Sequence, residues 1–132
     1  MLSEKENIFI ENFVTAPKRS RAKQLLSHPD KRIKFTARLA HSPDLDFSKQ
    51  VKHGGSINQN PLVASWSKQH PNHTVLILSE NPDLDKREML LHDALLHADS
   101  SGFGSVVICD AKHLVLYFAE DSSENAVLHK PG

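Results

Sequence analysis

Apolar residues recur at helical spacing near the start of the chain. Ser3 and Glu6 occupy the N-cap and third positions of a capping box, and apolar residues follow at positions 8, 9, 13 and 14. This combination is typical of a helix start, so the pattern predicts a first helix over residues 4–14. Pro17 has the fixed φ angle of a first helical turn and predicts a second helix, which ends before Pro29.

Residues 31–41 fit both a helix and a strand. The apolar residues at 33, 35, 37 and 39 alternate with polar ones, as in a half-buried strand, but they also form i,i+4 pairs on one face of a helix. We favour the helix, because Lys, Arg, Ala and Leu are strong helix formers and Asp30 can cap its start. A helix would extend a basic helical layer, whereas a strand would display its basic residues in a row on one face of a sheet.

Residues 42–60 show little periodicity and contain the adjacent glycines Gly54 and Gly55. They predict a long connection, and connections of this length are often functional. The apolar residues of segment 61–69 then predict a short helix that leads into a sheet.

Three apolar runs and one helical segment dominate the C-terminal part. Residues 74–79, 105–110 and 113–119 predict strands, and residues 85–98 predict a helix between the first two. A strand, a crossover helix and a second strand favour a right-handed parallel unit, while the short link between the last two runs predicts an antiparallel third strand. We therefore expect a β-α-β-β unit in a mixed sheet, with residues 126–130 as a short edge strand.

Together these patterns predict a single α+β domain over residues 1–132, with an N-terminal layer of two or three helices and a small mixed β-sheet. Its parts are a basic helical part (1–41), the long connection (42–60) and the β-α-β-β part (61–132). No apolar run approaches the roughly 18 residues that span a membrane, so we expect a soluble cytoplasmic protein without membrane contact. The one cysteine, Cys109, cannot form an internal disulfide, and its apolar neighbours predict a buried thiol.

Charge is distributed unevenly along the chain, although the formal net charge is zero. Residues 1–60 carry 11 Lys and Arg against 6 Asp and Glu, and residues 61–132 carry 5 against 10, so the halves are +5 and −5. Residues 17–38 hold eight basic residues and one acid, a net charge of +7. Such a segment indicates an anionic partner or pairing with the acidic half. The candidate polyanion-binding residues are Lys18, Arg19, Arg21, Lys23, Arg32, Lys34 and Arg38.

Candidate catalytic residues lie along one edge of the helix predicted at 85–98. At helical spacing Glu88, His92 and Asp99 border its apolar face, where Glu88 or His92 could act as a general acid or base. A hydrogen-bonded boundary histidine is the commoner role of such a residue. The nine histidines show no strong metal-ligand spacing, and the pair His70 and His73 offers only two ligands, so we expect no metal and no cofactor.

Gly102 and Gly104 follow that predicted helix and precede a strand. Phosphate-binding loops have the reverse order, because their glycines open a helix whose N-terminus faces the anion. We interpret Gly102 as a helix stop and Gly104 as part of a turn.

The basic segment is the most specific functional signal. Our leading hypothesis is a small intracellular accessory or regulatory protein that contacts nucleic acid or another polyanion through this segment, without reading its sequence. One alternative is a protein-interaction module or homo-oligomer in which the basic and acidic halves pair within or between molecules. The other is a small enzyme with a site near Glu88, His92 and the 42–60 connection.

Overall fold

A computed structural model describes residues 2–40, 43–51, 56–100 and 102–131. Five α-helices lie in this part of the chain: α1 (Glu4–Phe13), α2 (Arg19–Ser27), α3 (Arg32–Thr36), α4 (Pro61–Gln69) and α5 (Leu91–Ser100). Short 3₁₀ turns accompany them at Ala16–Lys18, Ala37–Ala40, Phe47–Lys49, Ile57–Gln59 and Ser122–Glu124. None of the helices described is both long and apolar enough to cross a membrane.

The local signals at the N-terminus form the structures that they predict. The side chain of Ser3 accepts from the backbone of Glu6, and the side chain of Glu6 accepts from the backbone of Ser3, which completes the capping box of α1. The ambiguous segment is helical, since α3 continues directly into the turn Ala37–Ala40. The preferred helix is therefore confirmed for residues 32–40, while His41 lies outside the described residues.

Six strands of the described residues form one sheet: β1 (Gln50–Val51), β2 (Thr74–Ser79), β3 (Glu88–Leu90), β4 (Ser105–Asp110), β5 (Leu114–Phe118) and β6 (Ala126–His129). Their order across the sheet is β1-β6-β5-β4-β2-β3, and every neighbouring pair is antiparallel. The fold is thus a mixture of helices and an antiparallel sheet, of the α+β class.

The predicted mixed sheet, with a parallel pair flanking the crossover helix, is wrong. After β2 the chain reverses in a turn that contains Lys86, which adopts a left-handed φ of 71°. The residues that follow, predicted as the first turn of a helix, form β3 instead. Leu90 lies opposite Thr74, so α5 starts beside the first residue of β2. After α5 the chain enters β4 beside the last residue of β2, because Ser105 lies opposite Ser79. Strand β4 therefore runs antiparallel to β2, with Ile77 opposite Val107.

The 42–60 connection contributes more structure than its sequence predicts. It contains two 3₁₀ turns and β1, which pairs with β6 and makes β6 an interior strand rather than the predicted edge. Its start is fastened to the end of α1, because the backbone of Asp46 donates to the carbonyl of Phe13 at 2.7 Å. Gly54 and Gly55 lie outside the described residues.

Alternating sheet residues divide the core into two clusters. On one face α1, α2 and α3 pack against β-strand residues that include Leu78, Ile108 and Tyr117. On the other face α4 and α5 pack against residues that include Ile77, Leu116 and Phe118. The period of two in the strands thus supplies an apolar surface to helices on both faces.

Candidate functional site

A groove of about 330 Å³ lies between α2 and α3, on the outer side of the first core cluster. Its floor is apolar and buried, because Ala22, Leu25 and Phe35 face the core. Its walls are basic, since residues one helical turn from these apolar positions carry the charge. Lys18 and Arg21 stand on the α2 side, and Lys34 and Arg38 stand on the side of α3 and the turn that follows it.

The charge of this basic groove is only partly neutralised. All four cations are exposed, and Asp44 is the acidic residue in its lining. Arg38 Nη2 donates to Asp44 Oδ1 at 3.1 Å. Four positive charges and one negative charge give the described lining a net charge of +3.

Two of the predicted basic residues are attached to α1 instead. Arg19 Nε donates to the carbonyl oxygen of Val14 at 3.0 Å. Lys23 forms an ion pair with Glu11, and its hydrogen bond and charge lower the pKa of that carboxyl below its ordinary value. Neither Arg19 nor Lys23 lines the groove.

Arg32 belongs to the interior, where only 4% of its surface is exposed. Its Nη1 donates to Glu6 Oε2 at 2.6 Å and to the carbonyl of Leu26 at 3.2 Å. Its Nε and Nη2 donate to the two carboxylate oxygens of Asp85, at 3.0 and 3.2 Å. With its donors engaged and buried, Arg32 cannot contribute to the predicted polyanion surface.

This ion triad joins the helical layer to the turn between β2 and β3. Asp85 also accepts from the backbone N–H of Ser79, so its carboxylate accepts three hydrogen bonds, two from Arg32 and one from Ser79. Burial would lower the pKa of Arg32, but the hydrogen bonds and charges of Asp85 and Glu6 outweigh it and hold that pKa above its ordinary value. The predicted use of Asp85 in a helix start is wrong, because α5 begins only at Leu91.

The three candidate catalytic residues do not form one site. Glu88 is exposed on β3 and pairs with Lys5, Nζ to Oε1, at 2.7 Å. His92 and Asp99 lie on α5 and line a second, larger cavity of about 940 Å³, together with Gln50 and Asn58 of the 42–60 connection. Because His92 and Asp99 are seven residues apart, about 10 Å along the helix axis, they cannot share a proton directly.

The histidine pair predicted after α4 forms an aromatic cluster. The rings of His70 and His73 stack with centroids 4.7 Å apart, and Trp66 lies 5.0 Å from His70. Within the described ranges no three His, Cys, Asp or Glu side chains converge as metal ligands. Cys109, predicted to be buried, is only partly buried. Desolvation, and then the charge of Asp110, raise the pKa of its thiol well above the ordinary value, which keeps the thiol protonated.

Sequence reasoning found the groove cations but missed two features. The partners of Arg32 lie 26 and 53 positions away, and no local signal marks them. The lining of the larger cavity includes His92, Asp99 and residues of the 42–60 connection, which the sequence names as parts of one candidate site, but it also includes Phe118 to Asn125, for which the sequence gives no signal. No protein-family model matches this chain, and comparisons with curated proteins and with solved structures give no significant match.

Proposed function

We propose that this chain is a single-domain accessory or regulatory protein that binds nucleic acid through the basic groove. The observation that carries the proposal is the placement of four exposed cations on the two walls of one groove, with one acid among them. In this proposal the N-terminal helical layer presents the groove, and the sheet supports that layer.

The chemistry of the groove suits phosphates rather than bases. Lys18 and Lys34 offer compact ammonium charges, and Arg21 and Arg38 offer planar forks that can hold a phosphate with two hydrogen bonds. Phe35 is only 3% exposed and cannot stack on a base. We therefore expect binding that follows the backbone and does not select a sequence.

The number of free cations sets the expected salt dependence. Arg32 is buried, Lys23 pairs with Glu11, and Arg19 is bonded to α1, so three or four groove cations remain for phosphates. At about 0.9 counterions released per duplex phosphate, the slope of log affinity against log salt should lie near −2.7 to −3.6. The seven candidates taken from the sequence would give about −6.

Fluorescence anisotropy with labelled duplex and single-stranded DNA and RNA tests the proposal. The double variant Arg21→Glu/Lys34→Glu should weaken binding to every sequence and make the salt slope less steep by about 1.8. The matched control is Lys68→Glu/Lys112→Glu, which reverses two exposed lysines outside the groove and should leave the slope unchanged. Absence of binding at micromolar protein in low salt would overturn the proposal.

Self-association is the main competing result. Asp85 pairs with Arg32 of the basic segment and Glu88 pairs with Lys5, while other acids of segment 61–132, such as Asp83 and Asp93, are exposed at the surface, where a second molecule could contact them. Sedimentation at several salt concentrations separates the two cases. Salt-sensitive oligomers, without nucleic-acid binding, would assign the groove to a second copy of the chain instead.

A further inference from the structure

The larger cavity lies on the sheet face opposite the basic groove. Helix α5 covers β2, β3 and β4 on this face, and the cavity opens beside it, over Phe118 at the end of β5. Its volume of about 940 Å³ is in the range of small-molecule pockets, which are roughly 300–1,000 Å³. The space is therefore adequate for a ligand of the size of a metabolite.

One side of the cavity is apolar. Ile57 and Phe118 belong to the second core cluster, and Leu95 packs against it from α5. Ile57 and Phe118 are 4% and 3% exposed and close the floor of the cavity. The apolar surface that a ring or a short hydrocarbon chain can cover is that of Leu95 and of Leu96, which is 59% exposed, and its transfer from water is favourable in proportion to the area covered.

Two side-chain amides lie around this apolar surface, on the half-buried Asn125 and on the exposed Asn58. Asn125 Oδ1 accepts from the backbone of Ala119 at 2.8 Å, and Asn58 Oδ1 accepts from the hydroxyl of Ser56. Because each amide oxygen is already engaged, each Nδ2 group remains as a donor to a ligand oxygen. The lining thus combines an apolar surface with placed polar groups, as small-molecule sites do.

The charge of this cavity is opposite to that of the groove. Asp99 is the one formally charged side chain in the described lining, which contains no lysine and no arginine. A carboxylate in this position favours an ammonium group and disfavours a second carboxylate. His92, one of the polar residues on the same face of α5, adds a ring nitrogen for a hydrogen bond.

We infer that this cavity binds a small amphipathic amine. The apolar body of the ligand contacts Leu95 and Leu96, its hydroxyl or carbonyl oxygens accept from Asn58 and Asn125, and its ammonium group lies at Asp99. The site is independent of the proposed nucleic-acid binding, because it lies on the other face of the sheet and selects the opposite charge.

Three probes that differ mainly in charge test this inference. Tyramine, tyrosol and 3-(4-hydroxyphenyl)propionate share a phenol ring and carry an ammonium, a hydroxyl and a carboxylate group. Titrations followed by protein-observed NMR should show tyramine shifting the amides of Leu95 and Asn125 at millimolar concentration, tyrosol binding more weakly, and the propionate weakest of all. No shifts from tyramine, or equal binding of the propionate, would overturn the inference.

Two variants locate the contact. Asp99→Asn should weaken tyramine about two- to fivefold, the effect of a solvent-exposed ion pair, and leave tyrosol unchanged. Asp93→Asn is the matched control, because Asp93 is an exposed acid of α5 outside the cavity lining, and an equal loss with this variant would refute the assignment. Ser122→Trp, which fills the cavity from an exposed turn, should abolish binding of tyramine and tyrosol without lowering the melting temperature.

The nucleic-acid experiment remains separate. Asp99→Asn and Ser122→Trp should retain the DNA affinity of the unmodified protein, since neither touches the basic groove. Loss of DNA binding in these variants would contradict the independence of the two sites.

Discussion

Replacement of Arg32 by methionine is the most direct test of the ion triad. The substitution keeps an unbranched side chain of similar length but removes four hydrogen bonds, two to Asp85, one to Glu6 and one to the carbonyl of Leu26. Glu6 is 2% exposed and would keep its negative charge without a cation beside it. Removing one partner of a buried ion pair costs about 3–5 kcal/mol, so the free energy of unfolding should fall by that amount.

The size of this loss depends on the unpaired charge of Glu6. The double variant Glu6→Gln/Arg32→Met removes that charge and should be more stable at neutral pH than Arg32→Met alone. Lys34→Met, at an exposed position of the same helix, should change the free energy by no more than about 0.5 kcal/mol.

Urea denaturation provides the measurement. The fluorescence of Trp66, the one tryptophan, reports on the second core cluster, and far-ultraviolet circular dichroism reports on the helices. Coincident transitions would justify a two-state free energy. Two results together would refute the structural role of Arg32 and assign it to the polyanion surface: a stability of Arg32→Met within about 0.5 kcal/mol of the unmodified protein, and a loss of DNA binding like that of Arg21→Glu/Lys34→Glu.

Three further predictions follow from buried groups. In Gly104→Ala the new Cβ would lie 2.3 Å from the backbone N of Ala40. The free energy of unfolding, measured from melting curves, should fall by about 2 kcal/mol or more, and an unchanged value would contradict this packing. The partly buried Cys109 should react with iodoacetamide more slowly in the folded protein than in urea, because desolvation raises the pKa of its thiol, and mass spectrometry would reveal equal rates if this is wrong. Burial, and then the charge of Glu124, raise the pKa of Tyr117 to about 12. The contribution of Tyr117 to the free energy of unfolding should therefore be complete below its unfolded-state pKa of about 10 and decline as the pH rises toward 12. Tyr117→Phe should lack this decline. Its free energy of unfolding at neutral pH should be about 1 kcal/mol lower, because it lacks the hydrogen bond that the Tyr117 hydroxyl donates to the carbonyl of Leu39. Unfolding curves at neutral and high pH would show both effects.

Elements with strong local signals could be predicted from the sequence. The capping box at Ser3 and the proline at position 61 mark helix starts that depend on neighbouring residues, and α4 has the predicted bounds Pro61–Gln69. The apolar runs at 74–79 and 105–110 likewise form strands with the predicted bounds. Each of these patterns is read within about one or two turns of chain, which is why sequence alone suffices.

Features that depend on distant residues could not be predicted. Glu88–Leu90 has the composition of a helix start, but its pairing with β2 provides hydrogen bonds that outweigh a weak local preference. The sequence predicts turn geometry at Gly104, whereas in the structure the close approach of the Leu39 and Ala40 backbone leaves no room for a side chain there. Exposed cations such as Lys18 could be anticipated from charge alone, but burial of Arg32 required knowledge of partners elsewhere in the chain.

The two outermost strands of the sheet have a consequence for aggregation. Within the residues that the structure describes, β1 has two residues and β3 has three, so these described strands offer few backbone groups for another molecule to extend the sheet. Behind them lie β6 and β2, whose buried apolar residues have the composition of fibril-forming segments. Local detachment of a short edge strand, which needs less free energy than global unfolding, would therefore set the rate at which concentrated protein forms intermolecular β-sheet.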